Sequence, residues 1–119
     1  MERDYLQMRV LEVAPQVFAS GPLFVTDLSL LAKQKVRGIL NLRPDGEAKD
    51  QPSSDDLAKA AEEYGIVYVH FPIDAADLTS ESAAALMQVS EGLERPVLVC
   101  GRAGSHSIKV WETAEVLCD

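Results

Sequence analysis

The chain has 119 residues, 47% apolar and 25% charged, the profile of a single ordinary globular domain running from 1 to 119. Its net charge of −8 argues against nucleic acid or an anionic membrane as partner, since both demand a basic surface. No apolar run is long enough to span a bilayer, and the start "MERDYLQMRV" lacks the apolar block of a signal peptide, so a cytoplasmic protein is expected.

In chain order, "VLEV" (10–13) and "VFAS" (17–20) read as strands, and "TDLSLLAKQK" (26–35) as a helix with Leu28, Leu31 and Ala32 on one face. The run "VRGILNL" (36–42) is a strand, followed by a solvated loop and a helix over 53–65. A capping-box-like Ser53-to-Asp56 spacing opens that helix and Gly65 stops it. Then come the strand "IVYVHF" (66–71), a helix over 79–94, the strand "PVLVC" (96–100) and a helix over 105–118. The later strands are apolar with little alternation, as expected of strands covered on both faces. Strands alternating with helices predict an α/β fold with a mostly parallel central sheet flanked by helices.

Cys100 and Cys118 make no disulfide framework. A helix over 105–118 holds its ends about 20 Å apart at ~1.5 Å per residue, whereas a bridge needs Cα atoms within about 7 Å. Free thiols suit a reducing compartment.

In parallel sheets, ligands bind beyond the carboxyl ends of the strands. There the chain reads "CGRAGSHS", residues 100–107. Gly101 and Gly104 permit close backbone approach, and a compact turn entering a helix presents free N–H groups and partial positive charge. Ser105 and Ser107 can cap the helix or donate to an oxyanion, and Arg102 and His106 are candidate cationic partners. Taken alone, this pattern is equally compatible with a glycine-rich turn that holds no ligand.

The loop and its helix resemble those of cysteine-dependent protein phosphatases. Nearly the whole chain is similar to the beta-lactamase hydrolase-like protein-phosphatase-like family, long treated as a domain of unknown function. The resemblance rests on "VAPQVFASGPL", on "ILNLRPDGEAKDQPSSDDLAKAAEEYGIVYVHFPI" and on "PVLVCGRAGSHSIKVWE". It implies a cysteine-phosphatase-like fold and an anion-binding strand–loop–helix whose family pattern is approximately C-R-S-G-T-R-S. Against that pattern Arg102, Gly104 and Ser107 match, and Ala103 and Ser105 are mild replacements. Gly101 falls at the nucleophile position and His106 at the phosphate-binding arginine position. A second register counts from Cys100, puts His106 at the arginine of a C-x5-R-S loop, and loses the match at Arg102. The first register accounts for more residues.

Both substitutions weaken catalysis. Transfer through a covalent intermediate needs a thiolate in line with phosphorus, and glycine supplies none. Arginine binds phosphate with a permanently charged planar fork, whereas an unperturbed histidine is charged only below about pH 6.5. The backbone cradle survives both changes. The expected function is therefore a phosphatase-like domain that binds phosphate, sulfate or a phosphorylated ligand through residues 101–107, with catalysis weak or lost. The alternative is an active phosphomonoester hydrolase, or a rhodanese-like sulfurtransferase, using Cys100 as nucleophile. Neither reading calls for a metal or cofactor.

Two further positions bear on the site. Asp74 in "FPIDAADLT" follows a strand where related phosphatases carry a general acid, although this stretch also reads as ordinary residues before a helix. Arg43 in "NLRPDGE" lies at a strand's carboxyl end, where it either faces the anion or pairs with Asp45 or Glu47. His70 is expected to be a hydrogen-bonded packing residue and Trp111 part of the core.

Overall fold

The computed structural model describes residues 2–5 and 8–118, with side chains placed over 10–118. The elements are β1 (Glu2–Tyr5), β2 (Met8–Ala14), β3 (Val17–Ser20), α1 (Asp27–Lys33), β4 (Gly38–Asn41), α2 (Ser54–Glu63) and β5 (Val67–His70). They continue with a 3-10 turn (Ala75–Asp77), α3 (Ser80–Gly92), β6 (Val97–Cys100) and α4 (Gly104–Cys118).

One six-stranded sheet runs in the order β1-β2-β3-β6-β4-β5. Strands β3, β6, β4 and β5 are mutually parallel, while β1 and β2 add antiparallel pairings at one edge, so the sheet is mixed with a parallel centre. The sequence pattern held no signal for β1. Three of its four residues, "ERDY", are charged, so the apolar alternation that marks a half-buried strand is missing there.

The two faces of the sheet divide by strand alternation. Ile39, Leu98 and Cys100 face α1 and α2 and pack with Leu28, Leu31, Leu57 and Ala61. Leu40, Val97 and Val99 face α3 and α4 and pack with Ala83, Leu86, Val110, Trp111 and Ala114. Leu98 lies in the central strand with no exposed surface. Leu98→Ala is expected to lower stability by about 3 kcal/mol through lost burial and the residual cavity, as measured by urea unfolding.

The helix ends follow local chemistry. Ser53 Oγ accepts from the Asp56 N–H at 3.1 Å, and α2 closes when the Gly65 N–H bonds Glu62 O and the Ile66 N–H bonds Ala61 O. Gly65 takes a φ of +71°, the left-handed value that glycine adopts without a Cβ penalty. At α3, Thr79 and Ser82 form a reciprocal capping box. No helix among the described residues is long and apolar enough to cross a membrane.

Candidate anion-binding site

Strand β6 carries the chain to the carboxyl end of the sheet, where Gly101–Ala103 turn into the amino end of α4. The end of β3 braces this turn from behind. The Ser107 hydroxyl donates to Ser20 O at 2.8 Å and also lies 3.3 Å from Ala103 O. A Cβ built on Gly21 would meet the Gly104 nitrogen at 3.5 Å, so the two backbones pass close together. The Ser107 N–H bonds Ala103 O at 3.1 Å, while the N–H groups of Arg102 through His106 carry no hydrogen bond among the described residues. Those are the orphan donors expected at a helix start.

Positions 100 and 101 point in different directions. Cys100 is fully buried on the α1/α2 face, its thiol 3.5 Å from Asn41 Oδ1 and 3.9 Å from Leu40 O. Burial pushes that thiol up to about 12. A Cβ on Gly101 would instead lie 2.8 Å from Ser107 Oγ and 3.5 Å from His106 Cδ2, directed into the loop and the first turn of α4.

Above the loop is a depression of about 230 Å³ lined by Pro44, Glu47, Pro72, Ile73, Asp74, Asp77, Arg102 and His106. Arg102 lies between two carboxylates, with Nη1 3.4 Å from Asp74 Oδ2 and 3.9 Å from Glu47 Oε2. His106 Nδ1 is 3.9 Å from Asp74 Oδ1. Local desolvation pulls the Asp74 carboxyl upward, but His106 and Arg102 beside it outweigh that and hold it below its ordinary value. Near neutral pH Asp74 is therefore an ionised partner of Arg102.

Arg43 makes the ion pair raised for it from sequence. Its Nε bonds Glu47 Oε1 at 3.0 Å with the guanidinium mostly covered, and it does not line the depression. His70 Nε2 is 2.7 Å from Arg43 O, and Trp111 is buried. The structure thus brings Arg102, His106 and Asp74 together and sets Arg43 and Cys100 apart from them.

Two contributors escaped sequence reasoning. Glu47 bridges Arg43 and Arg102 from a loop that read only as solvated. Asn41 is the hub beneath the site: its Nδ2 donates to Tyr68 Oη at 2.8 Å, and its Oδ1 accepts from the Arg43 N–H at 3.1 Å and lies next to the Cys100 thiol. Tyr68 Oη also lies 2.9 Å from Ser54 Oγ, and burial raises the Tyr68 phenol despite the hydrogen bonds from Asn41 and Ser54. The available signal was one polar residue closing an apolar strand.

A parallel centre with a strand–loop–helix leaving the carboxyl end of its middle strand is the architecture of a cysteine-phosphatase-like domain. The beta-lactamase hydrolase-like protein, phosphatase-like domain family matches residues 7–118, and the chain belongs to that family. The Xylella fastidiosa beta-lactamase hydrolase-like protein is 28% identical over 110 residues, which are 92% of this chain and 26% of that protein. The chain thus spans about a quarter of the length of the curated relatives it matches. Among solved structures, a Neisseria meningitidis protein provisionally named a phosphatase superposes with a TM-score of 0.76 at 25% identity, covering 85% of this chain and 72% of that one. TpbA of P. aeruginosa in complex with pTyr superposes with a TM-score of 0.54 at 16% identity, covering 80% and 54%, a likeness of fold alone.

Proposed function

We propose that the domain binds a phosphate-type anion at the 100–107 loop and turns phosphate esters over poorly or not at all, acting as a binding or regulatory module. The observation that carries this reading is the split between Gly101 and Cys100. The position directed into the loop has no side chain, and the adjacent thiol is buried on the other face of the sheet with its proton held. The ionised Asp74 supports it further, since a general acid must be protonated when it acts. The unpaired N–H groups at the start of α4, with Arg102 and His106 beside them, are what an oxyanion would bind. The pTyr bound by TpbA is a ligand of the same chemistry. Two free thiols favour the cytoplasm as its compartment.

The test is an NMR titration with phosphate or sulfate. Shifts are expected at the amides of 101–107, where the unpaired N–H groups start α4. Flat loop shifts at millimolar phosphate would remove the anion site.

Asp74 also competes with the anion for Arg102. Asp74→Asn is therefore expected to tighten phosphate binding by about threefold, the scale of an exposed ion pair. Weaker binding in that variant would show instead that Asp74 positions Arg102 for the ligand.

A further inference from the structure

At the opposite pole, around the amino ends of β4 and β6, lies a cavity of about 570 Å³. The four-residue parallel strands separate it from the 100–107 loop by about 13 Å. We propose that this cavity binds a small organic polyanion of the nucleoside-diphosphate class, independently of the loop.

The first observation is charge. Lys35, Arg37 and Arg95 line the cavity and no carboxylate does, in a chain whose net charge is −8. A concave site walled by one sign of charge concentrates the field on an oppositely charged ligand.

The plainest alternative is that these cations compensate helix carboxyl ends, which point this way. The hydrogen bonds argue against it for two of the three. At α1 the N–H groups of Gln34, Lys35 and Val36 bond Leu30 O, Ala32 O and Leu31 O. At α2 those of Tyr64, Gly65 and Ile66 close the end in the same manner. Backbone donors thus cap both helices, and the Lys35 and Arg37 side chains are not used for it. Lys35 occupies, at a φ of +65°, the turn position that Gly65 holds beside it at +71°. The α1 turn therefore carries an ammonium into the cavity rim where its neighbour carries no side chain.

Arg37 is held by one ion pair, to Glu94 at 3.4 Å, with both side chains more than half exposed, so water and ligand compete for it readily. Arg95 is more rigid. Its Nη1 donates to Ser90 O and Leu93 O, which fixes the guanidinium, and its other nitrogens have no partner among the described residues. An arginine anchored at one nitrogen offers its other edge to two oxygens of a phosphate at once.

Size and composition select the class. The volume falls within the ~300–1,000 Å³ typical of small-molecule sites and would be mostly empty around inorganic phosphate. The Tyr64 ring, 47% exposed, adds an aromatic face at the rim for a planar group. Three cations with one such ring match a diphosphate carrying a base.

The test titrates the ¹⁵N-labelled chain with ADP, pyrophosphate, adenosine and an acidic hexapeptide at low salt. ADP is expected to shift the amides of 35–37, 64–65 and Arg95 with Kd on the order of 0.1 mM, pyrophosphate about tenfold more weakly, and adenosine not at all. Lys35→Gln with Arg37→Gln, both exposed positions, is expected to weaken ADP at least about tenfold while phosphate still shifts 101–107. ADP shifts confined to 101–107, adenosine binding as well as ADP, or the hexapeptide binding more tightly than ADP would each overturn the proposal. None of these results removes the loop's own anion site.

Discussion

A Gly101→Cys, His106→Arg double variant is expected to hydrolyse a generic aryl phosphate well above the wild-type rate, which should sit at background. The first change places a thiol where the missing Cβ points, beside the orphan N–H groups that start α4. A helix amino end lowers the pKa of such a thiol and favours the nucleophilic thiolate. The fit is tight, because a Cβ there would lie 2.8 Å from Ser107 Oγ. That oxygen is the end of a rotatable side chain bonded to Ser20 O, and on turning it becomes a donor to the new thiolate. The second change restores a permanently charged fork for the transferring group. Gly101→Cys alone is therefore expected to trail the double variant by roughly 10²- to 10³-fold, by analogy with removed oxyanion donors. The opposing result is a wild-type rate clearly above background that disappears in Cys100→Ser. It would make Cys100 the nucleophile and His106 a poor stand-in for arginine.

Alkylation of the native chain at pH 8 is expected to modify Cys118 and leave Cys100 intact over the same period, one label per chain by mass spectrometry. Cys118 is exposed and Cys100 is fully buried. With its thiol pushed up to about 12, Cys100 holds on the order of one thiolate in 10⁴ at that pH. Shielding adds to this, so a rate difference of at least about 10³ is expected. Rapid double labelling of the folded chain would refute the assignment.

The same shift has a stability consequence. Below the unfolded thiol's value both states keep the proton and pH has no effect through this group. As pH rises above about 9 the unfolded chain ionises first, and stability falls until the folded value near 12 is reached. Between pH 8 and 10 the wild type should lose about 1.4 kcal/mol more than Cys100→Ala, for roughly one pH unit above the unfolded value. Equal losses in the two proteins would mean that Cys100 does not ionise against burial.

Particular residues mark how much of this was legible in the chain. Ser53 and Gly65 bracket α2 as their local chemistry requires, and "VFAS" is a strand over the residues read as one. Alternation along "VLVC" already separates Cys100 from its neighbour in the loop, because successive strand side chains face opposite sides. The glycines and the helix after them mark the loop as a place where donors collect. The ion pairing there was harder to read. Arg43 with Glu47 is a local pair four residues apart, and it was one of two open readings.

Torsional preference, side-chain period and capping act over a few residues, so the order of the parallel-centre elements, the place of the glycine loop and the presence of Gly101 and His106 within it were legible in the chain. What surrounds them came from the packing of the whole chain. Arg102 meets Asp74 and Glu47 because β4, β5 and β6 deliver three separate loops to one end of the sheet. Lys35, Arg37 and Arg95 gather at the other end for the same reason. Strand order is set by which faces bury best against which helices, a property of the whole chain, so charges far apart in sequence become neighbours without any local signal.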